Sequence, residues 1–369
     1  MAKSIPNAPA TGSKRPSGIF ASDIDGLVDA LAGDGVLAGM GVSPQGSPDM
    51  TVAVAAGQAR IGGYFPYVSD QNITIAAADS TNPRFDLVVC DYNGTVSRVG
   101  GTAAALPVVP DLPANSISLA KVYVPAAATS ITNAGAQQMV FDDRCVVPDY
   151  FDLADEFLPA ALVTTGNIGA LAWGTTGASP GTMAFQTGTS KHPGIVQLVS
   201  GATSGNNQRI HLGASATAVA PFLPADIARM RAIVAVPTVT TGAWKFGIGV
   251  DVSDAAAGSL GTAGAFVELV PATSTSWRYT TRQASTSTTN TDTGGAVVAG
   301  NWYQFDIVRL QNGNWQFARN GALQFTHSAN RPTTACTIGF LSHTLTAAAR
   351  QLNIDFFGLN LAPLGNRWT

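Results

Sequence analysis

Apolar and polar residues alternate along Asn301 to Phe325 in three short runs separated by two Asn-Gly pairs, Asn312-Gly313 and Asn320-Gly321. Tyr303, Phe305 and Ile307 share one face of the first run, and Trp315 and Phe317 share one face of the second. Asn-Gly between alternating runs predicts hairpins with type I′ turns, because both central residues must adopt φ > 0. Trp244, Phe246, Ile248 and Val250 alternate with Lys245, Gly247 and Gly249, which predicts a strand buried on one face. Further strands are expected over 194–198, 231–236, 266–270, 276–282, 337–341 and 352–361, a spacing that predicts a two-sheet sandwich from about residue 176 to the end. The segment from Ala284 to Gly295 is wholly polar and reads as a connection.

The earlier chain divides into three parts. Residues 1–18 lack periodicity and read as an arm, followed by a short helix from a Ser22-Asp23 cap through Ala32, with Ile24, Leu27, Val28 and Leu31 at helical spacing. The arm and helix region extends to residue 45. Residues 46–147 show strands at 51–54, 59–61, 64–68, 73–75, 85–91, 95–99 and 116–124, with turns at Gly62-Gly63 and Asn93-Gly94. The Pro-rich stretch Leu106 to Pro113 is expected to cross the surface. Residues 148–175 read as a small-residue linker with a short helix near Phe151 to Phe157.

Composition narrows the class. Charged residues are only 12%, with 21 Asp against two Glu and five Lys among 20 basic residues, so helix-surface residues are scarce and turn formers abundant. A net charge of −3 offers no basic footprint for nucleic acid or anionic membrane, and Lys14-Arg15 reads as part of a solvated arm. No stretch has the length of a membrane span or a secretory leader. Cys90, Cys145 and Cys336 are odd in number and widely spaced, which argues for reduced thiols. His192, His211, His327 and His343 lack ligand spacing, and Asp251 with Asp254 falls short of a calcium site, so no metal or cofactor is expected.

Two resemblances add a context. The run Val52-Ala-Val-Ala-Ala-Gly57, Ile61-Gly62-Gly63, Pro83-Arg84-Phe85-Asp86-Leu87-Val88-Val89, Asn93-Gly94-Thr95, Gly101-Thr102, Leu119-Ala120-Lys121-Val122 and Asp142-Asp143-Arg144 resembles a domain of baseplate and distal-tail proteins of tailed bacteriophages. Residues 176–369 resemble a concanavalin A-like jelly roll, through His192-Pro193-Gly194-Ile195-Val196-Gln197-Leu198, Trp302-Tyr-Gln-Phe-Asp306, Asn320-Gly321 and Leu352-Asn-Ile-Asp-Phe356. Together they imply a homotrimeric virion tail protein, assembled in the host cytoplasm. Its N-terminal part would meet other tail or baseplate proteins, and its distal head would meet a host surface glycan or receptor. Fold alone does not name the ligand.

Glycosidases of this fold class set carboxylates two apart on one strand, so that alternation aims them into one groove. Here Glu268 stands alone in its strand, as do Asp306 and Asp355. Adhesion without hydrolysis is therefore expected; a glycan depolymerase and a purely structural baseplate or head-decoration protein are the alternatives. A sugar presents an apolar face and polar edges, which suits aromatic residues beside amides and guanidinium groups. The candidate ligand residues are Trp302, Trp277, Arg278, Arg282, Asp306, Asn312, Asn314 and Arg319. Trp315, in phase with Phe317, is assigned to the core, whereas Trp302 lies on the face opposite Tyr303.

Overall fold

The computed structural model describes residues 33–362 apart from 134–137, 148, 150, 152, 158–166, 169–170, 172, 178–180, 213–221, 240–241, 250–262, 285 and 346–347. The expected arm and helix over 1–32, and Asp251 and Asp254, lie outside the described residues. Asp34–Thr369 form one compact unit in which strands dominate.

The alternating runs build the expected sandwich of two antiparallel sheets. The back sheet runs in the order Thr182–Gln186, Ile195–Val199, Gln351–Leu361, Ile227–Ala235, Trp302–Arg309, Trp315–Arg319 and Ala322–His327. The front sheet runs Asn167–Ile168, Trp173–Gly177, Asn207–Leu212, Ile338–Thr344, Gly242–Ile248, Gly264–Leu269, Arg278–Gln283 and Thr286–Thr291. Alternate side chains of the central strands enter the space between them. Ile210, Phe340, Phe246, Val267 and Tyr279 come from the front, and Val196, Phe357, Val234, Phe305 and Phe317 from the back. Ring contacts fill that core, with Phe246 on Phe340 at 4.8 Å and Trp173 edge-on to Phe357 at 4.9 Å between centroids. Trp315 is fully buried, as its phase requires.

Four local expectations are corrected. First, described residues within 148–175 are paired into the sheets: Leu153–Asp155 pairs with the last strand, and Asn167–Ile168 and Trp173–Gly177 extend the front sheet. Buried Asp155 organises this stretch, accepting the N–H groups of Phe157 (2.8 Å) and Leu171 (3.1 Å) and the Trp173 indole N–H (3.2 Å). That carboxylate draws Phe157 and Trp173 into the core where a helix was expected. Second, Thr286–Thr291 is the edge strand of the front sheet, and its polarity suits an edge open to water on one side. Third, Gly242–Ile248 is buried on both faces, Lys245 included. Fourth, only Asn320-Gly321 is a type I′ turn, with φ of 49° and 81°. At the other turn Gly313 alone of the pair has φ > 0 (80°), and Gly313 donates to Leu310 O while Leu310 donates to Asn314 O; this is a three-residue loop closed by a left-handed glycine.

The preceding β domain packs around Val52, Ile61, Val88, Leu119 and Val122. Its strands agree with the expected ones and add Val140–Asp142, beside Ser116–Val124, and Gly35–Gly39 and Val42–Pro44, which the glycines and prolines of that stretch conceal. The crossing near Leu106 does lie on the surface, with Leu106 87% exposed.

This domain is fastened to the outer face of the back sheet. Phe65 and Tyr67 pack with Ala228, Val308, Leu310 and Ala318. Tyr67 and Gln316 exchange two hydrogen bonds: Tyr67 N–H donates to Gln316 Oε1 (2.8 Å), and Gln316 Nε2 donates to Tyr67 O (3.0 Å). Buried Arg229 lies 4.3 Å from the ring centroids of both Phe65 and Phe151 and is ion-paired to Asp149 at 2.6 Å. The junction therefore combines apolar burial with charge-assisted bonds.

Candidate functional site

At one end of the sandwich three connections meet: the turn between Arg278–Gln283 and Thr286–Thr291, the Gln311–Gly313 loop, and the segment Ser328–Thr333. They border an open cleft of ≈ 640 Å³ lined by side chains that include Gln283, Arg309, Gln311, Asn312, Asn330 and Arg331, with no carboxylate among the described lining residues. Hydrogen bonds tie the rim together. Thr333 N–H donates to Gln283 Oε1 (2.9 Å), Asn330 Nδ2 donates to Thr288 Oγ1 (3.0 Å), and Arg331 Nη1 donates to Asn312 O (2.9 Å) and Asn314 Oδ1 (3.3 Å). The Asn312 N–H in turn reaches Asn93 Oδ1 of the β domain at 3.2 Å. A Cβ placed on Gly313 would lie 3.1 Å from Arg331 Nη1 and 3.8 Å from Arg309 Nη2, so the two guanidinium groups converge over this glycine. Burial, together with the like charge of Arg331, draws Arg309 below its ordinary pKa against the opposing pull of Tyr64 and Asp226. Such a cleft offers hydrogen-bonding groups and positive charge.

The predicted ligand residues separate into distinct places. Asn312 lines the cleft, and Asn314 orients Arg331 beside it. Trp277 is core, 2% exposed and edge-on to Phe305 at 4.8 Å, so its assignment as a ligand residue is corrected. Asp306 is fully buried at the junction, where it accepts from Arg231 Nε (2.8 Å), Tyr67 OH (2.9 Å) and Gln304 Nε2 (3.1 Å). It too is structural. Arg319 is paired to Asp292 at 2.7 Å, which also accepts from the Tyr279 hydroxyl at 2.6 Å.

Arg278 and Arg282 lie on the outer face of the front sheet. There Arg209, Leu341, Lys245, Glu268 and Arg278 are register neighbours across five strands, and Arg278 approaches Glu268 at 3.4 Å. Glu268 is 3% exposed. Trp302 does leave the core, as expected, but one of its faces is stacked on His192 (4.1 Å between centroids, 19° between planes). His192 Nδ1 lies 2.8 Å from Asp355 Oδ2, and burial raises the Asp355 pKa against the opposing pull of His192. Asp355 is the extra residue where Gln351–Leu361 slips register between Ile354 and Phe356. Two rim residues that sequence reasoning passed over, Arg309 and Arg331, carried weak signals: Arg309 ends an alternating run just before a turn, and Arg331 stands in Asn-Arg-Pro, another turn sequence.

Among the histidines, His327 has a measurable consequence. Its ring lies 5.1 Å from that of Phe317, its Nδ1 is 3.1 Å from Thr281 Oγ1, and burial pushes its pKa from 6.5 down to about 4. The unfolded chain therefore takes up this proton first as pH falls. The contribution of His327 is full above pH 6.5 and is lost progressively toward pH 4, by about 3 kcal/mol at most. Urea midpoints measured across this window should fall with pH, and in His327→Gln the fall should be shallower. Among the described residues no cluster of His, Cys, Asp or Glu is placed to hold a metal ion.

A family model described as "SO2946-like, C-terminal domain" matches residues 191–355, most of the sandwich. A search of curated proteins finds no match. Among solved structures, the chain is similar to SO2946, a protein of unknown function from Shewanella oneidensis MR-1, at 13% identity over 56% of this chain and 85% of that one, with a TM-score of 0.43. A β-1,3-glucanase from Mycobacterium marinum matches at 11% identity, 57% and 99% coverage and TM-score 0.38. The receptor-binding domain of botulinum neurotoxin type G matches at 12% identity, 57% and 48% coverage and TM-score 0.37, so this chain spans about half the length of that one.

Proposed function

We propose that this protein is a tail component of a phage virion that attaches to a host surface glycan through the end cleft of its C-terminal sandwich. In this reading the N-terminal part docks on other tail or baseplate proteins, the β domain is a rigid adaptor, and the protein holds its glycan without cutting it. The carrying observation is the cleft itself: amides and two guanidinium groups converge in a space of ≈ 640 Å³ with no acid–base pair among its described lining residues. Copies arranged as a homotrimer would add avidity to weak single sites. The resemblance of residues 52–144 to phage tail domains supports the virion setting.

The direct test is binding of the labelled full chain to host cells before and after periodate oxidation of surface sugars. Attachment that periodate abolishes, with no new reducing ends after prolonged incubation, is expected. Attachment indifferent to periodate, or absent, contradicts glycan recognition; new reducing ends would make the protein a depolymerase.

A further inference from the structure

We propose that the end cleft selects glycans bearing an oxyanion, a carboxylate or a sulfate ester, and that Arg309 and Arg331 hold that group between them. This inference rests on the glycan-binding reading and adds the chemical class of its ligand.

The charge pattern of the sandwich carries it. Arg229, Arg231, Arg278 and Arg319 each face a carboxylate within salt-bridge distance. Among the described residues Arg309 and Arg331 have no carboxylate within salt-bridge distance, Asp226 acting on Arg309 only from beyond it, and the two converge over Gly313. Two like charges side by side, one of them half-buried, are unfavourable in the empty protein, and an anion between them relieves both the repulsion and the lost hydration. The space is built in. Gly313 has φ of +80°, a conformation that favours glycine, and any side chain there would meet Arg331 Nη1 at 3.1 Å.

The arginines are also oriented. Asn312 O and Asn314 Oδ1 occupy Arg331 Nη1 and leave its other nitrogens for a ligand. A guanidinium fork matches a carboxylate or sulfate with paired hydrogen bonds, which an ammonium group does not reproduce. Gln311 and Asn330 line the same space with amide groups, the Asn330 Nδ2 donating to Thr288 Oγ1.

The test is a glycan array probed with the full chain, carrying neutral, carboxylated (hexuronate and sialate) and sulfated saccharides, followed by titration of the best binder. Binding restricted to carboxylated or to sulfated glycans supports the inference and tells which oxyanion is used. Arg309→Gln and Arg331→Gln should each weaken that binding by about tenfold or more, Arg309→Lys should restore little of it, and affinity should fall as NaCl is raised. Should Arg309→Gln fail to fold, Arg331→Gln, on the exposed loop, decides. Equal binding of neutral and acidic glycans, or affinity unchanged in Arg331→Gln, overturns the inference while leaving glycan binding intact. Absence of binding to every glycan overturns the reading beneath it.

Discussion

Asp306→Ala is expected to lower folding stability by about 3–5 kcal/mol, because removing one partner of a buried ion pair leaves the other charge uncompensated. Asp306 has no exposed surface and accepts from three side chains of two domains. Without it, Arg231 keeps only Asp149, at 2.7 Å, and the Tyr67 hydroxyl loses its acceptor. Tyr67→Phe, which removes one hydrogen bond and no charge, should cost only about 1 kcal/mol. Urea unfolding of the full chain gives both numbers. Glycan binding by the remaining folded Asp306→Ala protein should equal that of the parent. A variant of normal stability that no longer binds would instead place Asp306 at the ligand.

A loss of similar size, about 3–5 kcal/mol, is expected for Asp86→Ala in the β domain. The Asp86 carboxylate accepts from Arg84 Nε (3.0 Å), Arg98 Nη1 (2.9 Å) and the Gly101 N–H (3.0 Å), with none of its own surface exposed. Arg84 also donates to Ala76 O (2.5 Å) and Ala77 O (2.8 Å), so the carboxylate anchors one strand, its neighbour and two connections at once. The chain passes so close at Gly101 that a Cβ there would lie 1.9 Å from Phe85 O. Alanine at 86 strands two guanidinium groups in this space. Hydrogen exchange should accelerate over 84–101 in Asp86→Ala, while Asp86→Asn, which keeps a hydrogen-bond acceptor, should lie between it and the parent. Unchanged exchange and stability would mean that the cluster contributes little.

How far the sequence could be read depended on whether a residue's neighbours were local. Alternation settled the strands around Trp244, Trp315 and Phe357, and it separated Trp302 from Tyr303, because period two is a property of the strand itself. It misled at Asp306, which has the phase of a solvent-facing residue. That outer face is covered by Tyr67, a residue 239 positions away, and nothing in the local pattern announces a second domain. Trp277 is expected among the ligand residues as an aromatic beside Arg278 and Arg282, yet Tyr303 and Phe305 close over it from the other sheet. Within 148–175 the described strands Leu153–Asp155, Asn167–Ile168 and Trp173–Gly177 are too short for period two to show, and the buried Asp155 carboxylate joins the first of them to Trp173. The cleft joins three separate connections, and of its lining residues Asn312, beside the turn glycine, is among the sequence candidates.

The account stands or falls on where a glycan touches the chain. Hydrogen exchange of the full chain, with and without purified host surface polysaccharide, measures this directly. The account predicts new protection in peptides spanning 309–314 and 328–333, with the front-sheet row around Lys245 and the Trp302–His192 stack unchanged. Protection at either of those other surfaces, or none anywhere under saturating polysaccharide, would contradict it.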